Sequence, residues 1–363
     1  WISLEAADPP PNLIDISFDL GLGNLTLQFD ELVDVTTFQL PKLTLYYKSS
    51  NIFHNFTIQK AFNRLALQKN STQVSILFSS NDYARFKYIS QIDSLPNPSF
   101  SVTIANGTVL SANGTASAPS NLITVSAENY IPDKITPFIN FFGLNMNNSN
   151  LSITFTEPMD FSTFTLQGIA VQGYRNMKIA PPHYDQYYQL HNIGSEILRV
   201  HNYNRTIDVD IGQSNMNEIK AQIGLCKIRQ RCYLSAYSPF VNDTAGNALS
   251  LVAFDSINAV EVFDFGPDVN HPTIFAWDYD CNNGFVRLEF TETVYLDFFN
   301  FSKILFYDGG NVTIRLENPI NISTTYSEIV YFTLNAIQLQ EVQDLNLLTK
   351  KNNSFLLLEP GLV

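Results

Sequence analysis

Apolar and polar residues alternate in short stretches along the chain, and one longer pattern of this kind occurs three times. Residues 25–45, 151–171 and 286–306 align without a gap; Phe29, Phe155 and Phe290 share one column, and Glu31, Glu157 and Glu292 another. Each copy opens with the period-two alternation that is typical of a half-buried strand. A proline lies fourteen residues before each copy, at Pro11, Pro137 and Pro272. The chain therefore contains three copies of one unit.

Each copy shows the same succession of predicted elements. An apolar run and a turn rich in Gly or Asn precede the first strand, which predicts a β-hairpin. A later strand leads into a short helical segment, and a further strand follows it. The helical segments are residues 80–86, 214–220 and 333–338, which begin with the candidate N-caps Ser80, Ser214 and Thr333.

Short strands at intervals of about 8–12 residues predict β-sandwiches. We therefore expect an all-β fold with three tandem sandwiches, each with one short helix. The predicted domains are residues 1–132, 133–267 and 268–363. Residues 1–8 form a donor strand and linker, and the third domain lacks its last strand.

At these positions the sequence resembles the Ig-like tandem repeats of large extracellular proteins of bacteria, flagellated algae and other protists. The matching segments are Phe155 to Glu157, Asp160 to Phe164, Ile169 to Gln172, Met216 to Ala221 and the DTAGN turn Asp243 to Asn247. The resemblance implies Ig-like sandwiches in surface or matrix fibres, including the flagellar hairs called mastigonemes. It supplies no catalytic residues.

Composition narrows the class of protein. The chain has 363 residues, a net charge of −13 and 45% hydrophobic residues, as in a globular protein. The acidic balance argues against a nucleic-acid partner, because phosphate binding needs a basic surface. No apolar stretch reaches the ~20 residues of a membrane span.

Asn-x-Ser/Thr sequons are dense, and their density favours a secreted, extracellular glycoprotein with covalently attached N-linked glycans. They fall at Asn24, Asn55, Asn70, Asn106, Asn113, Asn147, Asn150, Asn204, Asn242, Asn300, Asn311, Asn321 and Asn352.

The chain has three cysteines, too few for a disulfide framework. Cys226 and Cys232 bracket a short basic loop, and we expect a disulfide between them in an oxidising compartment. Cys281 is left over. It is either an intermolecular or redox thiol, or an inert cysteine without a role.

The two ends of the sequence suggest an assembly. The third copy stops at Leu362-Val363, before its last strand, while Trp1 to Glu5 align with the end of such a strand. Our hypothesis is a head-to-tail homopolymer, in which Trp1, Ile2 and Leu4 of one subunit complete the third sandwich of the next by strand addition. The alternatives are a window of a longer array, or a third copy whose remaining residues are not in this chain.

Pro9, Pro10 and Pro11 predict an extended spacer after this strand. The resemblance also makes these prolines candidates for hydroxylation and O-glycosylation.

The chain offers no catalytic constellation, so we expect no enzyme, no catalytic residues and no cofactor. The glutamates of the shared column occur once per copy, whereas a glycosidase needs two carboxylates across one sugar. Asp278, Asp280, Asn282 and Glu289 have the spacing of a calcium loop, but Asn283 replaces its glycine. We therefore interpret this segment as a hairpin turn and expect no metal, although Ca²⁺ bridging stays open.

These observations predict a structural subunit of an extracellular glycoprotein fibre. The alternative is a carbohydrate-binding or adhesive module. It depends on the loop 178–193, where Tyr184, Tyr187 and Tyr188 lie beside His183 and can stack on a sugar.

Overall fold

The computed structural model describes residues 8–49, 52–59, 61–65, 69–94, 100–181, 186–254, 257–323, 326–351 and 354–362. The expected all-β fold is confirmed, because strands dominate and three α-helices are short. The buried apolar residues form three clusters, from Leu13 to Val125, from Ile139 to Val262, and from Val286 to Leu362. We call the corresponding parts of the chain units 1, 2 and 3.

Unit 1 consists of two facing sheets. Its strands are β1 (Leu13–Asp19), β2 (Asn24–Asp34), β3 (Leu43–Ser49), β4 (Ile52–Phe56), β5 (Ala61–Leu65), β6 (Asn70–Phe78), β7 (Phe100–Ile104), β8 (Leu110–Ser111), β9 (Ile123–Thr124) and β10 (Tyr130–Ile131). One sheet has the order β10-β1-β2-β6-β5 and the other has the order β4-β3-β7-β9. The last two strands, β9 and β10, thus close one edge of each sheet.

Unit 2 repeats this arrangement with a longer closing strand. Its strands are β11 (Ile139–Asn145), β12 (Asn150–Phe155), β13 (Met159–Asp160), β14 (Ile169–Gln172), β15 (Tyr187–Gln189), β16 (Glu196–His201), β17 (Thr206–Asp210), β18 (Tyr233–Ala236), β19 (Asn242–Asp243) and β20 (Val260–Gly266). The order is β15-β14-β18-β20-β11-β12-β17-β16. Strand β20 pairs parallel with β11 and antiparallel with β18. It therefore joins the strands β15-β14-β18 to the strands β11-β12-β17-β16.

Unit 3 has two three-stranded sheets. Its strands are β21 (Ile274–Asp280), β22 (Phe285–Tyr295), β23 (Ile304–Tyr307), β24 (Thr313–Arg315), β25 (Tyr326–Thr333) and β26 (Phe355–Leu358). Their orders are β21-β22-β25 and β24-β23-β26. Within the described residues, no strand occupies the place that β20 has in unit 2.

The helices begin later or earlier than their predicted caps. They are α1 (Ser80–Ser90), α2 (Gln213–Ala221) and α3 (Ala336–Asp344), and their N-caps are Ser79, Gly212 and Asn335. The predicted caps Ser80, Ser214 and Thr333 are therefore wrong. Ser79 accepts a hydrogen bond from the Asp82 amide, whereas Gly212 enters its helix with φ 84°, a backbone angle that glycine adopts at little cost.

Helix α1 is fixed by one aromatic side chain. The ring of Phe86 makes edge contacts with Phe18, Phe56 and Phe100 at centroid distances of 5.2–5.8 Å. Because neighbouring helical residues point about 100° apart, this anchor directs Lys87 out of the core towards unit 2.

Within the described residues, no helix is long and apolar enough to cross a membrane.

Candidate functional site

A lysine and a glutamate recur at matching places in the repeated units. The lysine lies eight residues after the helix N-cap, at Lys87 in α1 and at Lys220 in α2. The glutamate lies two residues after the phenylalanine that pairs with the first strand, at Glu157 and Glu292. Each lysine contacts the glutamate of the following unit, which creates two junctions along the chain.

Junction 1 surrounds Lys87, whose side chain is fully buried. Its Nζ lies 2.5 Å from Asp133 Oδ2, 2.9 Å from Glu157 Oε2 and 3.2 Å from Asp93 Oδ2. Lys87 and Asp93 belong to unit 1, Asp133 to the connection between units, and Glu157 to unit 2. One ammonium group therefore ties three parts of the chain together.

Burial and the close charges determine the protonation states of junction 1. Burial raises the pKa of Glu157 to about 8, although Lys87 opposes the shift. For Asp133 the attraction to Lys87 outweighs burial and lowers the pKa. Burial disfavours the charge on Lys87, but Tyr83 and the surrounding carboxylates outweigh it and raise the pKa. Near neutral pH the junction thus holds an ammonium, an ionised Asp133 and a proton on Glu157.

The DTAGN turn of unit 2 completes junction 1. Thr244 Oγ1 donates to Asp93 Oδ2 at 2.5 Å, and Asn247 Nδ2 donates to the Asp133 carbonyl at 3.4 Å. Asp243 accepts the backbone N–H groups of Ala245 and Asn247 and so holds the turn in shape. Oxygens of Asp133, Glu157 and Asp243 all lie within 4.8 Å of one another. Lys87 provides positive charge at this cluster through its contacts with Asp133 and Glu157.

Junction 2 repeats the arrangement with different neighbours. Lys220 Nζ contacts Glu292 Oε2 and lies 3.0 Å from Asp268 Oδ2. Asp268 follows Pro267, as Asp133 follows Pro132. A second lysine, Lys227, donates to the Lys220 carbonyl at 2.6 Å, and burial lowers its pKa.

Polar contacts from the following unit also cover both helices. Arg205 of unit 2 donates to Ser80 Oγ of α1 at 2.8 Å. In unit 3, Glu328 accepts a hydrogen bond of 2.6 Å from Asn217 Nδ2 of α2. The strand registers place Arg205 and Glu328 at the same position of their units. The two helices are thus contacted by equivalent surfaces.

Glu31 is the third member of the glutamate column, and no lysine contacts it within the described residues. Its Oε1 is shielded from solvent and has no hydrogen-bond partner in the described part of the chain. Burial, Asp30 and Asp8 raise the pKa of Glu31. Leu32 beside it is 51% exposed. We call Asp8, Asp30, Glu31 and Leu32 the Glu31 pole.

Unit 3 has two open edges that face each other across its core. Strand β21 ends one sheet and β26 ends the other, where β20 lies in unit 2. Core positions beside β20 are buried in unit 2 but only half-buried in unit 3. The pairs are Ile139 and Ile274, Phe142 and Trp277, Leu144 and Tyr279, and Leu234 and Leu356.

A cavity of about 610 Å³ lies between the start of β21 and the chain after β26, lined by Ile274, Phe290, Leu358, Pro360 and Leu362 among others. The hydroxyl of Tyr279 has no hydrogen-bond partner among the residues that the structure describes. We call the space between β21 and β26 the unit 3 groove.

The predicted assembly strand, Trp1, Ile2 and Leu4, lies outside the described residues, as do Asn352, His183 and Tyr184. None of the other twelve sequon asparagines is buried. Pro9 and Pro10 are exposed, whereas Pro11 is buried.

The structure joins Cys226 and Cys232 in a disulfide, and Cys281 is exposed. The calcium-like segment forms the β21–β22 hairpin, where Arg287 contacts both Asp278 and Glu289. Tyr187 lies in β15 and its ring stacks on Phe254.

Sequence reasoning identified the glutamate column but missed the lysines. The alignment of residues 80–86 with 214–220 set Phe86 opposite Lys220, one position away from Lys87. The strand register corrects this alignment. Asn24 and Asn150 are equivalent residues, and their strand partners, Leu77 and Asp210, each lie ten residues before the lysine of their unit. The signal that would have found the lysines is that a glutamate buried at a contact between units, such as Glu157 or Glu292, calls for a cation nearby.

No protein-family model matches the chain, and no curated protein matches it. Solved structures with partial similarity include a thermostable esterase, with 12% identity and a TM-score of 0.24 over 40% of this chain and 42% of that one. The N-terminal part of the bacterial S-layer protein SbsC has 10% identity and a TM-score of 0.23 over 52% of this chain and 40% of that one. E. coli alpha-2-macroglobulin has 10% identity and a TM-score of 0.25 over 91% of this chain and 18% of that one. The chain spans about two-fifths of the first two proteins, and likenesses this weak assign no function.

Replacing Lys87 with methionine removes the cation of junction 1 and leaves buried carboxylates unpaired. We expect Lys87→Met to cost about 3–5 kcal/mol of stability. Urea unfolding measures this loss. Lys69→Met is the matched control, because Lys69 is 72% exposed in its pair with Asp34 and such pairs contribute about 0–1 kcal/mol. Equal effects of the two substitutions would refute a structural role for the junction.

The raised pKa of Glu157 predicts a pH dependence. Between pH 4.5, the ordinary value, and about 8, the folded carboxyl keeps a proton that the unfolded chain releases, so stability falls as pH rises. The raised pKa values of Asp93 and Asp243 act in the same direction. We expect Glu157→Gln to reduce the slope of the thermal midpoint against pH across this window. An unchanged slope would contradict the assignment of the proton to Glu157.

Proposed function

We propose that this chain is a structural, non-enzymatic subunit of an extracellular glycoprotein fibre, built from three Ig-like sandwiches and assembled head-to-tail. The observation that carries this proposal is the unit 3 groove. Strands β21 and β26 each have an edge without a strand partner among the described residues, and the core side chains beside these edges, Trp277, Tyr279 and Leu356, are only half-buried. Such edges are templates for an added strand.

The N-terminal segment of a second copy is the proposed added strand. In unit 2, β20 fills the equivalent space and buries Val262 completely. Counting back from the repeated proline sets Leu4 at the position of Phe265 in β20. A donated Trp1–Leu4 strand would therefore run in the direction of β20 and lead into unit 1 of its own subunit.

The junctions support a mechanical role. Each junction buries a lysine between carboxylates of two units, and an unpaired buried charge is costly, so bending at a junction is penalised. Glu157 and Glu292 lie at separate junctions and do not face each other, so the glutamates of the column do not supply the carboxylate pair of a glycosidase.

A carbohydrate-binding role is the second candidate. Tyr187 and Phe254 are 50% and 46% exposed, and their rings stack at a centroid distance of 6.0 Å with an angle of 16° between the planes. Flat exposed aromatic surfaces of this kind suit sugar rings. Saturable glycan binding that is lost in Tyr187→Ala would favour this role.

Removing Trp1 to Glu5 tests the fibre directly. We expect the trimmed protein to lose filament growth in electron microscopy, because no strand remains to enter the neighbour's groove. A synthetic peptide of residues 1–8 should bind the trimmed protein and raise its thermal midpoint, because it completes the core of unit 3.

A peptide with Ile2→Asp and Leu4→Asp is the matched control, since charged side chains cannot enter the apolar groove. Filaments that persist after trimming, or equal binding of both peptides, would refute strand donation.

The glycoprotein proposal makes a distinction between sequons. Asn147 Nδ2 donates to the Pro267 carbonyl at 2.7 Å, and its Oδ1 accepts the Val269 amide at 2.9 Å. A glycan would replace one of the two Nδ2 hydrogens and add a bulky group at this close contact with unit 3, so we expect Asn147 to be unmodified while the exposed Asn106 is modified. Glycopeptide mapping of secreted protein measures both sites. Full occupancy at Asn147 would contradict the expectation.

A further inference from the structure

Unit 3 carries a glutamine where units 1 and 2 carry the junction lysine. Gln343 lies eight residues after the N-cap Asn335, as Lys87 and Lys220 do after theirs. It also lies ten residues after Thr333, which pairs with Phe285. In the strand register, Thr333 has the position of Leu77 in unit 1 and Asp210 in unit 2. Two independent registers thus give Gln343 the position of the lysine.

The outer face of α3 is open, unlike the faces of α1 and α2. Ile337 is 81% and Leu345 is 47% exposed, and both line a shallow depression together with Glu341 and Asp344. Gln343 is exposed, and its Nε2 makes a long contact of 3.5 Å with the Cys281 carbonyl. We call Ile337, Glu341, Gln343, Asp344 and Leu345 the α3 pole.

The Glu31 pole at the other end of the chain is the counterpart. Glu31 corresponds to Glu157 and Glu292, which accept the lysines of the preceding units. Its Oε1 has no partner in the described part of the chain, and Leu32 adds an exposed apolar side chain. Each internal junction joins the helix of one unit to the glutamate of the next. The α3 pole carries the helix side of such a contact and the Glu31 pole carries the glutamate side.

We propose that the α3 pole of one copy docks on the Glu31 pole of a second copy, with Gln343 Nε2 donating to the Glu31 carboxylate where the internal junctions have a lysine. This inference rests on the proposed head-to-tail function, because a strand donated to the unit 3 groove continues into unit 1 and brings the two poles together. The occupant of the Glu31 pole is thus unit 3 of the same protein.

The junction between copies is the weakest in the fibre. A neutral amide makes a weaker hydrogen bond to a carboxylate than an ammonium does. Glu341 and Asp344 also approach Asp8 and Asp30, and like charges repel without a cation between them. Assembly therefore improves as salt screens these charges. Under load, a fibre separates between two copies before it bends at a junction within one copy.

The test compares critical concentrations for filament growth by sedimentation. Gln343→Lys supplies the missing cation, and we expect a critical concentration about tenfold lower, because an ammonium attracts the Glu31 carboxylate and offsets the repulsion among the acidic groups around it. Gln340→Lys is the matched control, since it adds the same charge to another exposed glutamine of α3. We expect Glu31→Gln to cancel the gain from Gln343→Lys and to leave the effect of Gln340→Lys unchanged.

The outcomes separate this inference from the fibre itself. Filaments that respond equally to Gln343→Lys and Gln340→Lys, or a gain that survives Glu31→Gln, would overturn the pole contact and leave strand donation standing. Absence of filaments for the wild type and for every variant would overturn both proposals.

Discussion

The structure depends on the burial of a lysine ammonium between carboxylates of successive units. An ammonium without anions cannot remain charged in a site such as that of Lys87, and the ionised carboxylate of Asp133 would be an unpaired buried charge without it. Each unit alone would hold only part of the set. The lysine and its carboxylates are therefore fully paired in only one arrangement of neighbouring units. This requirement fixes how the units meet at each junction.

The three junction positions differ in charge balance. Junction 1 sets one lysine among Asp93, Asp133 and Glu157, with Asp243 close by, so an excess carboxyl keeps a proton. Junction 2 sets Lys220 with two carboxylates and has Lys227 nearby. In unit 3, Gln343 gives no charge at all. The same backbone arrangement occurs at all three positions. The side chains alone therefore make junction 1 sensitive to pH and the contact at Gln343 weak.

The repeated strands, the hairpin turns and the recurrence of Glu157 and Glu292 were predictable from sequence, because alternation and equal spacing are local signals. The partners of these glutamates were not. They lie on short helices that begin after different N-caps, Ser79 in α1 and Gly212 in α2. An alignment that was wrong by one position therefore matched Lys220 with Phe86 and not with Lys87. Which residues face the next unit is decided by packing between units, and no local pattern encodes it.

Closure of a sandwich and placement of the next unit are coupled through one stretch of chain. Strand β20 completes the core of unit 2 and leads through Pro267 into Asp268, which pairs with Lys220; β10 leads through Pro132 into Asp133 in the same way. The chain that buries the last apolar edge thus delivers the anion of the junction. In a strand that entered the unit 3 groove, Ala7 would stand at the position of Asp133 and Asp268. Such a strand would complete the core of unit 3 and bring the Glu31 pole to α3, so core completion would favour docking even though this junction lacks that anion and has Gln343 in place of the lysine.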